Sequence, residues 1–256
     1  MRGNDNHRRI IRLMAAVTIV LCCFGQRVQA QDGKGSAHLD SLLHRIYRED
    51  QAVRQYSLNM EGMDEDSLMA YIQRMTETDL RCQTAVFPIL DSLGIPEGLS
   101  DTSYSALFLV VQHSDLEHQR KYYPLFEAGA EKGLIEPSDV ATMLDRILMH
   151  EGKPQVYGTQ TFSQMKTIIV KAGEDGKPEN GTGTAHTSES VNYLWPVENA
   201  DSLDIRRARV GLPSIGTYME IFGEMGMTLV WDKEMTVEDA SSIKTGQKQE
   251  KPIQEK

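Results

Sequence analysis

The sequence predicts a mainly α-helical protein: a single helical domain carrying a small β-hairpin. Three observations lead there. Apolar residues recur at helical spacing through most of residues 37–232. One interval, 161–197, is instead rich in β-branched and aromatic residues. The stretch from Thr236 onward holds almost nothing apolar, so it is read as outside the core.

Taken in order, residues 1–30 are expected to be a cleavable secretory signal. Arg2, Arg8, Arg9 and Arg12 precede an apolar run from Leu13 to Gly25, and Val28-Gln29-Ala30 stands before Gln31. The run is about a dozen residues, short of the roughly 20 that a membrane span needs. Cys22 and Cys23 follow Leu21 and Cys22, which suits a lipoprotein cysteine poorly. Cleavage is therefore expected near Ala30/Gln31. The folded part is then expected to be periplasmic or secreted, with no membrane span left.

Residues 31–36 read as a flexible lead-in. Leu39, Leu42, Leu43, Ile46 and Val53 mark a first helix, and a second helix or helix pair runs from Asp64 to Leu93, closed by Gly94 and Pro96. A third begins near Thr102. Its Ala106–Val111 run is apolar on every side, and Pro124 should kink or end it. A fourth starts at Pro137 and stops at Gly152. Met165–Lys171 and Val191–Val197 are the expected hairpin strands, joined by a long excursion over 172–190. Short helices near Ser202–Val210 and Ser214–Met225 follow, and Thr228–Trp231 can form one more strand. Residues 233–256 are expected to be a disordered polar tail.

The charge excludes some partners. The chain holds 27 Lys and Arg against 37 Asp and Glu, and residues 1–30 account for five Arg and one Asp. The cleaved chain thus carries 22 basic and 36 acidic residues, a net −14. Such a chain repels nucleic acid and anionic membrane surfaces on average, so neither is an expected partner. Cys82 alone survives cleavage, which rules out an internal disulfide or a cysteine-based zinc site.

Three polar clusters can carry chemistry. Gln112-His113-Ser114-Asp115, with Gln119 beyond, lies where the apolar helix turns polar. On a continuous helix Gln112, Asp115 and Gln119 share one face, with His113 off it. Asp145-Arg146 sits inside an amphipathic helix, and Gly152–Gln160 leads into the hairpin with Gln155, Tyr157, Thr159 and Gln160. A weaker fourth is Asp50, which falls on the core-facing stripe between Ile46 and Val53 and needs a partner there. Arg54 at i+4 can reach it. His113 can act as a general base oriented by Asp115 or Asp145, with Arg146 steadying negative charge and Tyr157 positioning a substrate. Gln112, Asp115, Gln119, Gln155, Thr159 and Gln160 are candidate ligand-binding groups. The same residues also suit a buried polar network that fixes how the helices meet the loop. His113 and His118 are wrongly spaced for one helical metal site, and no metal, phosphate-loop, dinucleotide or nucleophile-elbow motif is present, so no metal or cofactor is expected. Arg206, Arg207 and Arg209 form a basic patch expected to pair with the acidic excess.

The runs QHSDLEHQ, DR, GKPQVYGTQ and RRARVGL resemble the signature of an uncharacterised bacterial family, the domain of unknown function numbered six-six-two-four. The resemblance spans Leu39 to Tyr218 and implies that the candidate residues above belong to that signature. It implies no activity. Two function classes therefore stay open, and whether the protein is an enzyme stays open with them. One is a module binding a small polar ligand or an envelope protein partner, with the cluster either lining its site or serving as a purely structural network. The other is a metal-independent hydrolase or lyase using His113 as base. In either case the three clusters are expected to meet in one site, because unpaired buried polar groups cost about 1–3 kcal/mol each.

Overall fold

The computed structural model describes residues 34–55, 64–171 and 184–246. Its architecture is the mainly helical one that the apolar spacing predicts, with a small sheet added. The expected signal segment and residues 172–183 of the expected excursion lie outside the described residues, as does the end of the expected tail, 247–256.

Five helices build the larger core: α1 (Lys34–Gln55), α2 (Glu65–Leu93), α3 (Asp101–Gln112), α4 (Leu116–Glu131) and α5 (Pro137–His150). They bury Leu43, Val86, Leu107, Val111, Phe126 and Met143 completely in one cluster. The apolar run of α3 lies at its centre, as an all-round apolar helix must. Asp40 of α1 accepts from the Ser100 backbone N–H and from the Ser100 and Ser103 hydroxyls, which docks α1 onto the start of α3. The segment from Asp64 to Leu93 is one helix. Asp64 caps it, Pro88 lies within it, and Gly94 ends it at φ 66.

The helix begun near Thr102 does not run as far as Pro124, and Pro124 does not end the helix it lies in. The proline sits inside α4, and the helix continues to Glu131. The break comes earlier, at His113–Asp115, because Asp115 caps a new helix by accepting from His118 N at 2.9 Å. Its side chain removes one of the free N–H groups that a helix start leaves.

The remaining chain forms the sheet and its cover. β1 (Thr161–Lys171) pairs antiparallel with β2 (Thr184–Leu194), in register from Thr161↔Leu194 to Lys171↔Thr184. Residues 184–190, expected in the excursion, are therefore strand. β3 (Thr228–Val230) joins β2 in parallel. A short 3₁₀ turn (Ala200–Ser202) leads into α6 (Leu203–Arg209) and α7 (Ile215–Glu224). The tail also needs correction: Val237–Lys244 is a helix, α8, opened by a capping box between Thr236 and Asp239. Its Ala240 and Ile243, with Met235 just before it, are buried against Phe162, Tyr193 and Trp195. Four apolar residues, these three and the partly buried Val237, anchor a segment whose composition is otherwise polar. Among the described residues, no helix is long and apolar enough to cross a membrane.

Candidate functional site

The break between α3 and α4 sets the position of His113. It is the C-cap of α3, at φ −94 and ψ 3, so the helical-face argument for Gln112, Asp115 and Gln119 does not apply. The corner is closed locally. Ser114 Oγ donates to Val111 O at 2.7 Å, and Gln119 Nε2 donates to Gln112 O and Ser114 O at 3.1 and 2.8 Å. Asp115 and Gln119 are thus occupied in holding the corner. The Gln112 side chain is buried beside it, and its Oε1 finds no donor among the described residues.

The carboxylate beside His113 is Asp50. Asp50 is 1% exposed, and its Oδ1 lies 3.0 Å from His113 Nδ1. Arg54 Nη1 donates to the same oxygen at 2.9 Å, as the i+4 spacing predicts, and Gln51 Nε2 donates to Oδ2 at 2.8 Å. Arg54 also reaches across to α2, where Nη2 donates to Asp79 Oδ1 at 2.6 Å. Burial pushes Asp50 up. The adjacent imidazole, its hydrogen bond and the Arg54 guanidinium outweigh that and hold the carboxyl below its usual range. Asp79 goes the other way, because burial there outweighs Arg54. His113 is pushed down, first by burial and then by the charges of Arg54 and Arg146 against the pull of Asp50. A neutral imidazole facing a carboxylate carries its proton on Nδ1, which leaves Nε2 as an acceptor. The His113 side chain keeps 14% of its surface exposed.

Arg146 completes the cluster. Its Nε is buried with no acceptor among the described residues. Burial, with Arg54 nearby, lowers its pKa to about 10. Its charge also bears on His113 and on His150. A guanidine N–H buried without an acceptor is costly, and the Oε1 atoms of Gln112 and Gln119 at the nearby corner share that condition.

Asp145, the neighbour of Arg146 in sequence, does different work. It accepts from Val156 N (2.7 Å), Tyr157 N (3.0 Å), Thr159 N (3.0 Å) and Thr159 Oγ1 (2.9 Å). Burial raises its pKa against these bonds. Gln155 spans the same loop, donating to Gln160 O and Trp195 O and accepting from Gln160 N. Gln160 Nε2 donates to Thr159 Oγ1 at 3.2 Å. Arg207, 1% exposed, donates to Tyr157 O and Gly158 O, and Arg206 donates to Val156 O. The expected pairing of these arginines with acidic side chains is thus replaced by backbone carbonyls. Gly158 needs its φ of 66, and a Cβ there would meet Leu203 at 3.3 Å. The Tyr157 side chain is half-buried and bears on Tyr123 of α4.

The expected site residues make two sets of contacts. His113 bonds Asp50, which Arg54 joins to Asp79, and the charge of Arg146 bears on His113. Asp145, Gln155, Thr159 and Gln160 are spent on loop geometry, and no hydrogen bond among the described residues joins Asp145 or Tyr157 to His113. Asp79 went unnoticed in the sequence because it is one acid in an acidic helix, 25 positions from the arginine that it meets.

Asp50, Asp79 and His113 also bring three metal-type ligand atoms within 4.8 Å of one another. Arg54 donates to both carboxylates, so the positive charge that a cation would supply is already in place. Cys82 lies nearby, but burial and the charges of Asp50, Glu49 and Asp79 push its thiol up to about 11, too high for a nucleophile at neutral pH.

The sequence model of a family of unknown function, DUF6624, matches residues 38–172, more than half of the chain. That stretch contains Asp50, Arg54, Asp79, His113, Arg146 and the whole 155–160 loop, and it stops before Arg206 and Arg207. No curated protein and no solved structure matches the chain.

Proposed function

The chain belongs to the family of unknown function DUF6624, and from its own geometry we propose that it is an exported protein binding a small anionic ligand at the Arg146–His113 cluster. One observation carries this reading: Arg146 is partly buried and its Nε, fully buried, has no acceptor among the described residues, in a chain with a large acidic excess. Acids are plentiful, yet none is spent on this cation. A ligand carboxylate or phosphate would supply the missing acceptors in a bidentate pair. The neutral imidazole beside it adds an acceptor for a ligand hydroxyl or a bound water. Export rests on the basic, apolar and small-residue segments of residues 1–30.

A second reading is favoured by the Asp50–His113 bond alone. A carboxylate that fixes the imidazole tautomer leaves Nε2 free to take a proton, so the site suits general-base hydrolysis or elimination with Arg146 stabilising the developing charge.

The test is a thermal-shift screen of the chain from Gln31 onward against small carboxylates and phosphates, native and Arg146→Gln side by side. A ligand at about 100 times its Kd stabilises by about 2.7 kcal/mol, a readily measured shift. The native protein is expected to respond and the variant, still folded, to lose the response. No response from any anion, or an equal response from the variant, would refute binding at Arg146. N-terminal sequencing of the protein from its host should read from Gln31, and an intact leader would refute export.

A further inference from the structure

We propose that the ligand is an amino acid, its carboxylate held at Arg146 and its ammonium group at the side-chain oxygens of Gln112 and Gln119 in the α3–α4 corner. The carboxylate rests on the anion reading above, and the ammonium group names the class of ligand.

Gln112 and Gln119 are 3% and 1% exposed, and the Oε1 of each is buried with no donor among the described residues. Arg146 Nε is buried with no acceptor. Two of these three unanswered atoms are acceptors. An anion brings acceptors only, so it answers Arg146 and leaves both glutamines as they were. The amide of Gln119 is fixed in its orientation, because Nε2 donates to Gln112 O and Ser114 O and an oxygen could not take its place. The three residues stand on neighbouring elements. Gln112 ends α3, and Gln119 reaches its backbone from the start of α4. α4 packs against α5, and Arg120, next to Gln119, donates from Nε to Glu151 Oε1 at 2.6 Å. Glu151 follows Arg146 by five residues, so this bond sets the last turns of α5, Arg146 among them, alongside the start of α4. The charge of Arg146 also bears on His113, the neighbour of Gln112. An ammonium group carries three hydrogens, enough for both glutamine oxygens and for the Nε2 acceptor of His113. A hydroxyl carries one and would answer a single glutamine. The ammonium charge is offset by Asp50, whose carboxylate bonds the other side of the His113 ring.

Two pairs of probes separate the ideas by calorimetry: glycine with propionate, and 4-aminobutanoate with pentanoate. Within each pair the molecules match in size, and a methyl group stands where the other has its ammonium. The native protein is expected to bind the ammonium member of one pair about tenfold or more tightly than its partner, the step of a single charge-assisted contact. The pair that shows the preference gives the spacing of the two groups. Gln112→Leu should reduce the preference to about threefold or less. Gln112→Glu, which keeps the acceptor, adds a charge and cannot donate, should raise it. Equal binding within both pairs, or a full preference in Gln112→Leu, overturns the ammonium position while anion binding at Arg146 stands. If the leucine variant does not fold, the glutamate variant decides: a raised preference supports the amino acid, and an unchanged or lower one overturns it, as it must if the two glutamines simply bond each other. Inorganic phosphate is the control for the anion reading. A native protein that binds phosphate and none of the four carboxylates overturns the amino acid alone. If Arg146→Gln binds every probe as the native protein does, or the native protein binds none of them, both readings fail.

Discussion

A buried carboxylate persists only where donors replace its water, and Asp50 and Asp145 are supplied from opposite sources. Asp50 is served by side chains, Arg54, Gln51 and His113, whereas Asp145 is served mainly by the backbone of one loop. Only the first arrangement involves a group that titrates near neutrality. His113 is held below its ordinary 6.5 by burial. The folded protein therefore takes up fewer protons than the unfolded chain as pH falls past that value. Its contribution to stability is complete above the unfolded pKa and drains away in acid. Compared with the native protein, His113→Gln should lose less melting temperature between about pH 7 and about pH 5; His150, also pushed down by burial, acts in the same sense as His113, and Asp139, pushed up to about 7 by burial, acts in the opposite sense. An unchanged slope in the variant would show that His113 is not the titrating group. At this scale the sequence was legible where partners were near neighbours: the i+4 reach of Arg54 to Asp50 follows from helix geometry alone. The choice of Asp50 over Asp145 as the partner of His113 was not legible, because it depends on how α1 and α3 dock, 63 positions apart.

Among the elements, α8 shows how little apolar content suffices when its placement is right. Ile243 and Ala240 fall three apart on one face, and both are essentially unexposed in the second core. Ile243→Ala should cost about 2–5 kcal/mol, as for other large-to-small core changes, measured by urea unfolding. A change within about 0.5 kcal/mol would place the helix among ordinary surface features. The composition of the tail concealed this, since mean polarity describes a disordered segment and an anchored amphipathic one alike. The α3–α4 corner was concealed for a related reason. Pro124 is the strongest helix breaker in its neighbourhood by propensity, but Asp115 stops the chain first by offering an N-cap, and a proline within the new helix is then tolerated. Boundaries announced by Gly94 and Pro137 were readable because each residue type matches the backbone required at a helix end.

On the scale of the whole molecule, class and layout were readable because apolar periodicity is a property of the entire sequence, while the parallel seat of β3 beside β2 is a tertiary outcome with no local mark. The grip of Arg207 on Tyr157 O and Gly158 O carries a consequence for autonomy. The stretch that defines the family ends at 172, yet its loop is held from outside by Arg206, Arg207 and the carbonyl of Trp195, and β1 has its partner strand beyond that limit. In this chain the stretch that matches the family and the unit that melts cooperatively are expected to differ. A protein ending at residue 172 should show no sharp cooperative melt, because removing the later chain strips partners from several buried backbone groups, each worth about 1–3 kcal/mol. The chain 31–246 should melt in one transition. A sharp melt from the shorter chain would mean that the later segments decorate a fold already complete. Its absence would mean that residues 38–172 take their structure here only with a partner supplied by the rest of the same polypeptide.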